Sequence, residues 1–384
     1  MRTPRIVSTR LALSRPYICT SCRILQPRKF STTSPLSANP PPPPPAAFTC
    51  LSSRRLISLS GPDTSHYLQG VITSNISTSS PRTTGFYTSF LNAQGRILHD
   101  VFIYPDLTTE AGLKGEGWLI EVDAKEVEKL AKHIKRYKLR AKFDVRVVDP
   151  QERAVWSLWK DEGWTAHGLS ARRDVTAKGD VGCEDMRAPG MGRRLILNAG
   201  KSPEESIGGV AEEVYRVRRY LKGVPEGQDE LIPEAALPQE SNVDFMGGID
   251  YRKGCYVGQE LTIRTHHTGV VRKRILPVML YGKDEKEPGV LEYKQEINLG
   301  VEGIPRETGI GRWEKKGRSA GKFLTGVGNV GLGLCRLEIM TDVLVQGEAG
   351  GYKAGDEFKV EWEGEKGSDL VKIKAFVPSW HLTK

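Results

Sequence analysis

Between Arg54 and Val148 the apolar positions switch repeatedly between a spacing of two and a spacing near 3.6, the marks of strands and helices. RRLISLS (54–60) predicts a short strand. Pro62 stands where a first helical turn accepts it, and Tyr67, Leu68 and Val71 give the helix that follows one apolar side. GFYTSFL (85–91) and RILHDVFIY (96–104) predict two strands, joined by the turn NAQG with Gly95 into a hairpin. WLIEV (118–122) is a third strand. Asp123 with Glu126 resembles a capping box, opening a helix that carries Val127, Leu130, Ala131, Ile134 and Tyr137 on one face. FDVRVV (143–148) closes the unit. Helices mixed with hairpins argue for α+β, not for a doubly wound parallel sheet.

A similar run follows, from AVWSLW (154–159) through RRLILN (193–198) to a helix over VAEEVYRVRRYL (210–221) that stops at Gly223 and Pro225, so the second segment reads as a pseudo-repeat of the first. Beyond Gly269 the helical spacing disappears. RILPVML, GLGLCRLEI, EFKVEW and VKIKAFV predict the strands of a small barrel, with residues 283–326, rich in Gly, Lys and Glu, as a partly disordered insertion between them. The expected divisions are 1–45, 46–150, 151–270 and 271–384.

Charge alters the picture at one end. The 384 residues carry a formal +9, but residues 1–45 hold seven cations (Arg2, Arg5, Arg10, Arg15, Arg23, Arg28, Lys29) and no acid, the first acid being Asp63; without these seven the body carries +2. A nucleic-acid footprint, which needs cations clustered on a folded surface, is not expected. The Arg-rich, Ser/Thr-rich, acid-free leader has the profile of a mitochondrial presequence addressed to the matrix, with RKFSTT suggesting cleavage after Phe30. Pro40 to Pro45 predict a stiff spacer before the fold. No apolar run approaches the roughly 18 residues of a membrane helix, so no membrane span is expected.

Of six cysteines, Cys19 and Cys22 lie in the leader. Cys50, Cys183, Cys255 and Cys335 are too far apart in sequence for the close pairs of zinc or iron–sulfur sites, and no permanently bound metal cluster is expected. Cys255 is the unusual one. In DYRKGCYVGQE (250–260) it lies between Gly254 and Gly258, behind Arg252 and Lys253 and ahead of GQEL, which would open a short helix. Small neighbours, cations and a helix start describe a reactive, partly exposed thiol. A buried inert cysteine in a tight turn is the alternative. His266 and His267 read as neighbours on an exposed strand, without a third ligand in reach, and the cations of VVRKR (270–274) as a solvated face or a docking patch.

The longer stretch LPQESNVDFMGGIDYRKGCYVGQELTIRTHHTGVVRKR closely resembles the K-G-C-Y-x-G-Q-E signature of the YgfZ branch of the aminomethyltransferase-like, folate-binding superfamily. LNAQGR (91–96), Arg219 to Gly223 and GNVGLGLCRLE (328–338) extend the resemblance from about Arg54 to the C-terminus, leaving out the leader and 283–326. It is similar in particular to the branch's mitochondrial members, which assist iron–sulfur cluster assembly. The resemblance implies two intertwined α+β domains forming a ring-like folate-binding core, followed by an antiparallel C-terminal β-barrel.

It also implies a site. Lys253, Gly254, Cys255, Tyr256, Gly258, Gln259 and Glu260 match the signature, with Arg264 following; Tyr87, Asn92, Arg219 and Asn242 could line a pocket for tetrahydrofolate or a derivative, though each singly also reads as a satisfied structural residue. Where the folate enzymes carry an Asp-Asp pair, this chain has His99 and Asp100. A histidine there lacks the fixed negative charge of conventional aminomethyl transfer. The expectation is an assembly factor acting late in 4Fe-4S protein biogenesis, with Cys255 a transient iron ligand shared with iron–sulfur carrier proteins of the mitochondrial matrix. The alternatives are a folate-dependent one-carbon transferase using His99, Asp100 and Cys255, and a non-catalytic folate-binding regulator.

Overall fold

In the computed structural model, which describes residues 39–77, 82–161, 181–203, 206–314, 318–347, 351–364 and 367–382, neighbouring strands of the chain go to different sheets. The leader and its cleavage point lie outside the described residues. The first elements are β1 (Ala46–Cys50), β2 (Arg54–Ser60), α1 (Thr64–Val71), β3 (Phe86–Leu91), β4 (Ile97–Pro105), α2 (Glu110–Leu113), β5 (Gly117–Asp123), α3 (Val127–Tyr137) and β6 (Asp144–Val147). Then come β7 (Arg153–Lys160), β8 (Val181–Glu184), β9 (Arg193–Asn198), α4 (Glu212–Lys222) and α5 (Gln259–Thr268). β2 to β6 form an antiparallel sheet in the order β3-β4-β5-β2-β6, whereas β1 leaves it to pair with β7 in a second sheet, β1-β7-β9-β8. That exchange is the intertwining: residues 46–50 complete a sheet built from residues beyond 150.

The period of two along each strand sorts side chains to two faces. Ile57, Leu59, Val101, Ile103 and Ile120 point toward Leu68 of α1 and Leu130 and Ile134 of α3, forming one core. Leu56, Tyr87, Phe102, Tyr104 and Leu119 point the other way, into a larger core shared with Val155, Ile196, Tyr215 and Leu332. Each fully buried aliphatic side chain contributes about 2 kcal/mol by leaving water. The expected capping box is not formed: α3 begins after Glu126 without a side-chain cap, because Asp123 ends β5 and its Oδ1 accepts from the Lys125 amide instead. Tyr137, placed on the apolar face by its spacing, is exposed.

The barrel is closed, in the order β10 (Lys273–Tyr281), β13 (Val330–Arg336), β12 (Gly321–Val327), β11 (Gly309–Arg312), β14 (Phe358–Gly364) and β15 (Gly367–Ala375). β11 and all but the last residue of β12 fall within 283–326, so this stretch is not an insertion; without it the barrel would have an open edge. GLGLCRLEI is strand only to Arg336, then turns into α6 (Leu337–Met340). Arg274 of VVRKR is buried and pairs with Asp244 at 2.9 Å, which corrects the solvated reading at that position.

The proline run is no free spacer. Asn39 Nδ2 donates to the carbonyls of Gln295 and Ile297, Tyr293 Oη to the Pro40 carbonyl, Trp159 Nε1 to the Pro44 carbonyl and the Asp161 amide to the Pro45 carbonyl. Proline has no amide hydrogen but keeps its carbonyl, so an extended proline run can be strapped down as an acceptor alone. Among the described residues no helix is long and apolar enough to cross a membrane.

Candidate functional site

Residues 250–258 form the connection into α5, and both of its ends are stitched to the end of α1. The Asp250 amide donates to the Thr73 carbonyl at 3.0 Å and the Val257 amide to the Gly70 carbonyl at 3.0 Å. Lys253 adds a stronger tie. Its ammonium donates to the carbonyls of Gln69 (2.7 Å), Ile72 (2.6 Å) and Ser74 (2.9 Å), where α1 runs out of amide donors and its dipole is negative. Burial pulls the Lys253 pKa down to about 8, still above neutrality. The expected role of Lys253 as a charge for the neighbouring sulfur is thus corrected: all three of its donors are used at a helix end. Arg252 remains exposed.

Gly258, with φ of +77°, seals the other side. A Cβ there would overlap the Asn92 carbonyl oxygen and meet Leu91 Cβ at 3.0 Å and Gly95 Cα at 3.1 Å, so the cysteine loop packs on the NAQG hairpin glycine to glycine. Tyr256 is buried, and its amide donates to Gln259 Oε1 at 3.2 Å. Between these anchors Gly254 and Cys255 are exposed, and a Cβ on Gly254 would meet nothing within 4 Å. Glu260 and Arg264 are exposed on α5. Of the other cysteines, Cys183 and Cys335 are buried and Cys50 is exposed, with burial and then Glu212 pushing its thiol pKa up.

The residues nominated for folate are not gathered into one opening. Asp100 shares the face of Phe102 and Tyr104, whereas His99 shares that of Val101 and Ile103, toward α3. His99 is 3% exposed and its pKa is pulled down to about 3 by burial, with the charges of Lys129, His133 and Arg54 adding. The pairing of His99 with Asp100 in one site is therefore corrected: adjacent residues of a strand face opposite sides. Arg219 is clamped by Glu230 at 2.7 and 2.9 Å. Asn242 donates to the Ile275 carbonyl, and Asn92 Oδ1 accepts the amides of Gln94 and Arg96 to shape the hairpin turn. Tyr87 is buried with its hydroxyl unpartnered among the described residues.

The space between the two sheets is filled by a buried ionic network. Arg54 bonds Glu121 (2.9 Å) and Asp100 (3.4 Å), and Arg194 bonds Glu121 (3.0 Å) and Glu226. Arg187 bonds Asp185 (2.7 Å) and Glu226 (2.8 Å). Asp100 also accepts from the Gly227 amide and from Gln228 Nε2, and burial pushes its carboxyl pKa up. Against the cost of burial, the guanidinium of Arg194, with Arg187 and Arg219, holds the Glu226 carboxyl well below the usual carboxylate range. Asp100 and Asn242 have their polar groups satisfied from within the protein, and both terminal nitrogens of Arg219 are bonded to Glu230 or the Val224 carbonyl, with its Nε 3.7 Å from Glu226, so these residues do not fit an open pteridine site.

An open cleft of about 500 Å³ lies beside the cysteine loop instead, lined by Ser74, Asn75, Arg82, Phe86, Gly247, Ile249, Asp250, Tyr251, Arg252 and His266. His266 and His267 are in α5, not on a strand, and the His266 ring stacks on Tyr251 at 3.6 Å with an 11° tilt. Asn75, Arg82 and Phe86 lie outside the motifs, with no pattern in the chain to single them out. The charged network did leave a signal, in acids and arginines set into apolar strands, such as Glu121 in WLIEV and Arg194 in RRLILN.

This architecture has close counterparts. The crystal structure of the glycine cleavage system aminomethyltransferase T from Bartonella henselae superposes with a TM-score of 0.58, covering 87% of this chain and 86% of that one at 12% identity. Residues 272–381 match the family model described as CAF17, C-terminal beta-barrel domain. The chain thus has the fold of an aminomethyltransferase with a terminal barrel. The relative from Pyricularia oryzae named iron-sulfur cluster assembly factor IBA57 homolog, mitochondrial, is 52% identical, covering 95% of this chain and 92% of the relative. Those of the same name from Chaetomium globosum and Aspergillus fumigatus are 47% and 45% identical, covering 98% and 96% of this chain and 93% and 90% of the relatives. The chain belongs to the IBA57 family of mitochondrial proteins.

Proposed function

We propose that this chain works in the mitochondrial matrix as an iron–sulfur cluster assembly factor, late in the maturation of 4Fe-4S proteins, with Cys255 as a transient iron ligand. The observation that carries the reading is the Cys255 loop itself: rigidly tied at Lys253 and Gly258, it leaves one sulfur exposed with open space at Gly254. Cys183 and Cys335 are buried and the exposed Cys50 lines a separate cleft with Phe48, Trp156 and Glu212, so the remaining ligands come from the carrier protein that brings the cluster. The step is a ligand exchange. Cys255 gives its proton to solvent, its sulfur bonds to iron, a carrier ligand leaves, and no oxidation state changes.

Cys255→Ala tests this. In cells carrying only the variant, matrix 4Fe-4S enzymes are expected to lose activity while the variant protein accumulates normally and melts as the wild type does. Undiminished 4Fe-4S enzyme activity would sink the reading. The one-carbon transferase has less support, because His99 faces away from Asp100.

A further inference from the structure

The cleft beside the Cys255 loop is unfinished in a specific way. Arg82 lays its guanidinium over the Phe86 ring at 4.1 Å and donates through one terminal nitrogen to the Asn75 carbonyl, yet its buried Nε has no acceptor among the described residues. Asn75 Oδ1, also buried in the same wall, has no donor among them. A buried donor and a buried acceptor left unpaired each cost more than a made hydrogen bond returns, so their pairing in one open cleft points to a ligand that supplies both.

The chemistry narrows the class. A lone phosphate or carboxylate offers acceptors only and leaves Asn75 Oδ1 unpaired. A polypeptide backbone offers a carbonyl and an amide within one residue. The cleft adds apolar surface at Phe86 and Ile249, a flat face at the Tyr251–His266 stack, and the cations Arg82 and Arg252 against the single acid Asp250. We propose that this cleft binds an extended, acidic segment of a partner protein, carbonyl to Arg82 Nε and amide to Asn75 Oδ1, with an acidic side chain on Arg252. Because Asp250, Tyr251 and Arg252 run directly into Gly254 and Cys255, a chain held there is carried to the sulfur, and the missing side chain at Gly254 gives it clearance. The proposal rests on the functional reading only in taking a protein as the occupant.

The probe is a fluorescein-labelled decapeptide of Glu, Ala and one Leu, titrated into the full chain by anisotropy. Binding is expected to weaken with salt, about tenfold with Arg252→Glu and several-fold with Asn75→Ala or Arg82→Gln. Arg252 is exposed, so its variant keeps the fold if the buried Arg82 variant does not. Cys255→Ala should leave peptide binding unchanged even where it abolishes enzyme maturation, which separates failure of this proposal from failure of the functional reading. Equal binding of the peptide with Lys in place of Glu, or indifference to all three cleft variants, would overturn it. Free glutamate displacing the peptide at equal concentration would overturn it in favour of a small-molecule site.

Discussion

Gly254 and Gly258 flank one cysteine but are glycines for different reasons. Gly258 has a left-handed backbone and no room for a Cβ, so Gly258→Ala is expected to destabilise the chain by about 3 kcal/mol in urea unfolding. Gly254 has neither constraint. Gly254→Ala should change stability by no more than about 0.5 kcal/mol, while reducing the clearance beside the sulfur. A comparable loss from both would remove the distinction. His99 carries a pH prediction. Unfolded, it takes up a proton near its ordinary value of 6.5; folded, it does so only near 3, so the unfolded state binds more protons between these values. Stability should therefore fall as pH drops from about 6.5 toward 3, and His99→Gln should flatten that part of the profile. Spacing identified Lys253 as part of a motif, but three carbonyls contributed by residues some 180 positions earlier decide what its charge does.

Elements with one strong apolar face were legible. α3 and the strands of the five-stranded sheet follow their periodicity because each packs one side against a core. α5 was legible only at its start: GQEL opens a helix as expected, but QELTIRTHHT buries only Thr262 fully, so no helical stripe marks its continuation through His266 and His267, which read as a strand. β11 and β12 were hidden for another reason. Gly-rich strands of four and seven residues are defined by their barrel partners, not by their own pattern. The proline strap belongs here too. Since the compact unit begins at Asn39, deletion through Pro45 should cost about 2 kcal/mol relative to deletion through Ala38, the price of its hydrogen bonds to the 293–297 loop and to β7. Equal urea midpoints for the two truncations would show the strap to be idle.

Across the whole molecule, the Arg–carboxylate network joins two sheets whose strands interchange. Arg194 on β9 reaches Glu121 on β5 and Glu226 beyond α4, so a single guanidinium neutralises acids from separate parts of the chain. Arg194→Met would strand those acids in the interior and is expected to cost about 3–5 kcal/mol, measured by denaturant unfolding. A loss below about 1 kcal/mol would mean that water, not protein charge, balances them.

Local order in the chain was enough to determine the types of the elements with one strong apolar face, the hairpin, the barrel's existence and the motif that places Cys255 in a loop, since periodicity and turn chemistry act over a few residues. The strand period also sets His99 and Asp100 on opposite sides of β4, although the two were expected to act together. Only the tertiary structure decided which side meets helices and which meets the second sheet, where the Lys253 ammonium ends, and that arginines and carboxylates close the centre. Those outcomes depend on groups tens of residues apart, and some 180 for Lys253, approaching within hydrogen-bond distance, and no pattern local to either group encodes its partner.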